Sequence, residues 1–178
     1  MTVVVTTEGE APTPVADAPP DSPLADLRGL YRKFQEALST DLEVPHWREI
    51  GYPVFVRYGL PDMDRAAKRA EDKTLTGTDA NCDILVNACI GIYMEMPDGA
   101  KLGLTSGGDP TLPWPRFDEA LARALGMEGT TAIGVCKALY GRGTDDTVNG
   151  AAINIASNAL LAWAGSASSE ARRGFLES

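Results

Sequence analysis

Basic residues and metal-ligating residues are scarce in this chain. It has 16 Lys and Arg against 25 Asp and Glu, one histidine and three cysteines in 178 residues, for a net charge of −9. Each shortage excludes something. A nucleic-acid interface neutralises phosphates with clustered Lys and Arg; no such cluster occurs, so DNA or RNA is not an expected partner. A zinc site needs close donor pairs such as CxxC or HxxxH, whereas His46 stands alone and Cys82, Cys89 and Cys136 are widely spaced, so neither a metal nor another cofactor is expected. A membrane span needs about 20 apolar residues; the longest uncharged run, Thr147 to Ser169, is interrupted by Asn149, Asn154, Ser157 and Asn158. The opening MTVVVTTEGE lacks the basic start and apolar stretch of a signal peptide, so export by the usual route is not expected. Three cysteines without paired spacing suit a reducing compartment.

What is present is enough for one core: hydrophobic residues make up 44% of the chain. Residues 1–21 carry no Lys or Arg, include APTPVADAPPD and offer few large apolar groups, which predicts a disordered acidic arm. DSPLADLRGLYRKFQEALST then reads as an amphipathic helix with Ser22 as N-cap, Pro23 at the first helical position, and Leu24, Leu27, Leu30, Tyr31, Phe34 and Leu38 in one stripe. In LEVPHWREIGYPVFVRY the period changes to two, with Gly51 and Pro53 as punctuation, predicting two short strands and a turn over residues 42–58.

Helix signals return in GLPDMDRAAKRAEDK, with acids early and bases late, matching the helix dipole. A further helix is expected from Thr78 to Glu95, capped by Thr78 or Asp79. It places Cys82 and Cys89 on one face but two turns, roughly 10 Å, apart, too far for a disulfide. Their thiols then pack as small hydrophobes. MPDGAKLGLTSGGDP contains a Pro-Asp-Gly turn whose flanks can pair as a small hairpin, followed by a glycine-rich loop to TLPWP. RFDEALARALGM, TAIGVCKALYG and TVNGAAINIASNALLAWAG read as three helices. In the last, Val148, Ala152, Ile155, Ala159 and Trp163 are expected on one face and Asn154, Ser157 and Asn158 on the other. The closing SASSEARRGFLES is expected to be mobile. The predicted fold is therefore α+β and mainly α-helical: the acidic arm, a single helical domain over residues 22–165 with a short N-terminal β-hairpin, and a tail over residues 166–178.

No catalytic set assembles from these motifs. Nucleophilic catalysis needs a base that works near neutral pH, His46 is the sole histidine, and a lone Ser-His pair is disfavoured. GRGTDD lacks both the full GxGxxG and the Lys-Ser/Thr of phosphate loops. Asp62/Asp64 and Asp145/Asp146 lie where helix N-termini already favour negative charge, and SGGDP reads as a turn. An amphipathic leading helix and an uncharged final helix remain, and both suit contacts in which a helix lies in a groove.

The order of segments, ALSTDLEVPHW, VFVRYGL, NCDILVNACIGIY, PWPRFDEALARALGM and AIGVCKALYG, resembles the tail assembly chaperones of long-tailed bacteriophages, over roughly Leu24 to Trp163. These are packing patterns and not functional signatures. The chain departs from the family in one respect, because a more charged carboxyl-terminal part is expected than Thr147 to Ser169 provides. The resemblance implies a non-catalytic protein of the infected host's cytoplasm that binds the tape measure protein, keeps it soluble while tail tube protein polymerises around it, and is absent from the mature particle. It also implies a longer frameshifted form as a partner; self-association into a homo-oligomer is compatible with it. The contact candidates chosen from the pattern are Leu27, Tyr31, Phe34, Ile155 and Trp163. The alternative is a permanent virion component that joins head to tail or terminates the tail.

Overall fold

The computed structural model describes residues 38–141 and 146–176. The expected acidic arm, the leading helix with Leu27, Tyr31 and Phe34, and Asp145 lie outside these residues.

Four strands form an antiparallel sheet in the order β1 (Thr40–Glu43), β2 (Val54–Tyr58), β3 (Cys89–Glu95) and β4 (Lys101–Gly103). One helical turn, α1 (Trp47–Ile50), links β1 to β2; α2 (Met63–Glu71) and α3 (Gly77–Ala88) lie between β2 and β3; α4 (Glu119–Ala124), α5 (Ala132–Tyr140) and the long α6 (Asp146–Leu176) follow β4. The expectation of a mainly helical domain with only a short hairpin is thus corrected to a mixed fold built on a four-stranded sheet.

The correction centres on residues 89–95, expected as helix and found as strand. Ile90, Ile92 and Tyr93 are β-formers, and this strand pairs on both sides, Val56 opposite Ile92 on one and Met94 opposite Leu102 on the other. Ladder bonds to two neighbours outweigh continuation of a helix. The switch needs no loop, because the Gly59 N–H donates to the Ala88 carbonyl at 2.8 Å and satisfies the helix end. The Pro97–Gly99 turn joins β3 to β4, with Gly99 at φ 83° and Met96 bonded to Ala100 at 2.8 Å.

Helix starts follow local capping. Asp62, Thr76, Asp118 and Thr131 accept from Arg65, Asp79, Leu121 and Gly134 backbone N–H groups respectively. The α3 cap is therefore Thr76 and not Thr78 or Asp79, and its hydroxyl also donates to the Asp79 carboxylate at 2.8 Å.

The inner face of the sheet, Val54, Val56, Tyr58 and Ile92, packs with Leu85 of α3, Leu121 of α4, Val135 and Leu139 of α5, and Ile153 and Leu160 of α6 in one core. All three cysteines lie in this core. On the outer face Phe55, Tyr93 and Trp114 stack, with ring centroids 5.5 and 4.4 Å apart. The Arg57 guanidinium lies 5.1 Å from the Trp114 ring and is held bidentately by Asp41 at 2.8 and 2.7 Å. The 113–115 loop seats there because Gly91 has no side chain: a Cβ would meet the Trp114 Cβ at 2.9 Å.

The buried face of α6 is rotated from its expected position. Ile153, Ala156, Ser157, Leu160 and Ala164 point inward. Ser157 can be buried because its hydroxyl donates to Asn81 on α3 at 3.2 Å. This turns Ile155 outward, to 70% exposure, while Trp163 packs against the core cluster half-buried.

Candidate functional site

Rotating α6 creates a groove. Between β1, the turn after it, and the first turns of α6 lies an open hollow of about 430 Å³. Leu42, Pro45 and Tyr140 line one side; Ala151, Ala152, Ile155, Ala156 and Ala159 line the other. Glu43 and His46 are the polar members of its rim.

Each wall has a local cause. Val44, Pro45, His46 and Trp47 form a tight turn in which proline presets one central residue and His46 takes the left-handed conformation, φ 77° and ψ −20°. It is the one non-glycine residue at positive φ among those described. Histidine tolerates this region better than most side chains. The turn is fixed from both ends: Val44 N–H donates to the Val54 carbonyl at 2.8 Å, and the Trp47 indole donates to the Leu139 carbonyl at 2.9 Å. Tyr140 also lines the hollow, its hydroxyl paired with that of Tyr58 at 2.7 Å inside the core. Burial pushes both phenols above their ordinary range, so they stay protonated.

Two side chains outside the lining contact its polar residues. Arg48 grips Glu43 through two hydrogen bonds of 2.8 and 3.1 Å, and the His46 Nδ1 lies 3.8 Å from the Glu49 carboxylate. No nucleophile stands beside His46 in the groove lining. The thiols are elsewhere and subdued. Burial pushes Cys89 up to about 12, and Cys136 is raised by the neighbouring Cys82 thiol and by burial. Protonated buried thiols are poor nucleophiles and ligands. Among the described residues no group of three or more His, Cys, Asp or Glu side chains is placed to hold a metal ion.

The other acidic motifs act locally. Asp62 caps α2, accepting from Arg65 N–H at 3.0 Å, and Asp109 in SGGDP accepts from the Thr111 N–H and hydroxyl at 2.8 and 2.7 Å. Asp83, buried on α3, holds Arg65 and Arg69 of α2. The Arg65 hydrogen bonds keep its carboxyl below the usual carboxylate range despite burial.

Of the five contact candidates, Ile155 lies in the groove, Trp163 lies further along α6 against the core, and Leu27, Tyr31 and Phe34 fall outside the described residues. Leu42, Pro45, His46 and Tyr140 were not singled out as contacts. The only local signal for them was the Pro-His turn, since the partner wall is distant in sequence. Comparison of the chain with family models, curated proteins and solved structures finds no match.

Proposed function

We propose that this chain is a non-catalytic tail assembly chaperone that binds the tape measure protein of a long-tailed bacteriophage and keeps it soluble in the host cytoplasm during tail assembly. The observation that carries the reading is the open hollow, lined mostly by apolar residues and including the exposed Ile155. A helix with apolar side chains at i, i+3, i+4 and i+7 is the ligand class such a groove suits. A tape measure helix exposes such a stripe until tube subunits cover it, and shielding apolar surface in the interval is what a chaperone must do. Modest affinity suffices, because many copies along one long client act by avidity. The resemblance in packing motifs supports the tape measure protein as the client, and the apolar groove supports a helix-in-groove mode of contact.

Quantitative mass spectrometry of infected-cell lysate and purified particles tests the assignment. A chaperone is abundant in lysate and absent from particles. A fixed copy number per particle identifies a permanent head-to-tail or tail-terminating component instead.

A further inference from the structure

We propose that Cys82 and Cys136 form an oxidisable pair, which hydrogen peroxide closes into a disulfide tying α3 to α5. The inference goes beyond the client reading and does not depend on it. Three observations select this pair among the three cysteines. Both residues are 0% exposed in one core, and the Cys136 thiol hydrogen-bonds to that of Cys82. The helices that carry them are pinned in register: the ammonium of Lys137, next to Cys136, meets the carboxylate of Asp79, one turn before Cys82, at 2.6 Å. Cys89 is held elsewhere. It begins β3, its sulfur accepts from the Phe117 and Gly91 backbone N–H groups, and the stretch of α3 from Cys82 to Ala88 sets the two apart. That stretch rises roughly 9 Å, farther than a disulfide spans.

Hydrogen peroxide is small and uncharged, so local opening is enough to admit it. The Cys82 sulfur attacks one peroxide oxygen; the O–O bond breaks, the released hydroxide takes the thiol proton and leaves as water, and Cys82 becomes a sulfenic acid. The Cys136 sulfur then attacks the Cys82 sulfur; the S–O bond breaks, and hydroxide leaves with the Cys136 proton as a second water. The two thiols lose two electrons and two protons, and the peroxide is reduced to water. Burial decides the product, because a sulfenic acid sealed beside a thiol meets that thiol before a second peroxide carries it to sulfinic acid. Burial also slows the first step, since protonated thiols are poor nucleophiles, and the pair stays reduced until peroxide accumulates. The bond joins the helix ending in Tyr140, which lines the hollow, to the helix whose Asn81 holds Ser157 of α6.

The test treats the reduced full-length chain with hydrogen peroxide at neutral pH, with and without urea. Free thiols are then alkylated and the chain is cleaved before aspartate, which separates Cys82 from Cys89 at Asp83, for mass spectrometry without reductant. The native chain should lose two hydrogens, link Cys82 to Cys136 and leave Cys89 alkylated. In urea the pair closer in sequence, Cys82 and Cys89, should link instead. The natively cross-linked chain should melt roughly 10 °C higher than the reduced one, because the bond removes loop entropy from the unfolded state. The inference is overturned by a native bond to Cys89, by sulfinic acid without a bond, by the same linkage in urea, or by a cross-linked chain that melts lower. It is equally overturned if no bond forms at a peroxide dose that fully oxidises Met63, which is 56% exposed.

Discussion

Replacing Gly91 with alanine tests whether residues 89–95 are a strand roofed by the Trp114 loop. The backbone of Gly91 is not in the left-handed region, so the substitution meets no conformational penalty and only the space above it matters. The new Cβ lies 2.9 Å from the Trp114 Cβ and 3.2 Å from its ring. A Cβ cannot swing aside as a side-chain tip can, so the 113–115 segment must lift. Lifting it strains the Ile92 N–H to Pro115 carbonyl bond of 2.8 Å, the Tyr93–Trp114 stack at 4.4 Å and the Arg57 contact at 5.1 Å. Overpacking of this kind costs about 1–3 kcal/mol, and the weakened ring contacts add about 1 kcal/mol. The total of about 2–4 kcal/mol lowers Tm by roughly 5–15 °C in a domain of this size. Urea unfolding of Gly91→Ala, Trp114→Gly and the double variant measures it. Trp114→Gly removes the offending Cβ, which Trp114→Ala would retain, so in that background Gly91→Ala should cost less than about 0.5 kcal/mol. A Gly91→Ala variant as stable as the wild type, or additive costs in the double variant, refutes the reasoning.

Two further outcomes follow from the core. Tyr58→Phe or Tyr140→Phe each strands the other hydroxyl in a dry interior and should destabilise by about 1–3 kcal/mol, while the double Phe variant should cost less than the sum, as a double-mutant cycle in urea would show. Asp83 has a folded pKa below its unfolded value, so its contribution is present above the unfolded value near 4 and is lost as pH falls through the folded one. Thermal melts of Asp83→Asn should therefore lie below wild type at neutral pH and converge with it in acid; a deficit that persists unchanged at low pH would contradict the ion-pair account.

The helices were legible from their period in GLPDMDRAAKRAEDK, RFDEALARALGM and TAIGVCKALYG, while the caps at Asp118 and Thr131 were seen only in the structure. The Pro97–Gly99 hairpin was legible because turn chemistry is local. Strand β3 was not, because Ala88 and Cys89 look alike in a window of apolar residues, and what separates helix from strand there is pairing with residues more than 30 positions away in β2. The rotation of α6 was hidden for a related reason. Ser157 and Asn158 both read as polar and outward, but only Ser157 meets Asn81 across the helix pair. With Ile153, Ala156 and Leu160 packed in the core on that same face, Ile155 is left toward solvent, so half of the groove was legible as an apolar contact candidate. The other half, Leu42, Pro45 and Tyr140, was assembled by tertiary packing.

The most direct test of the central claim is co-expression of the tape measure protein with wild-type chain or with Ile155→Asp, scoring the client in the soluble fraction. Ile155 is exposed, so its substitution should change the chain's own stability by no more than about 0.5 kcal/mol. The account predicts a soluble client with wild type and an aggregated one with the variant, the variant itself remaining folded. Equal client solubility with both, or no effect of the wild-type chain on the client, contradicts it.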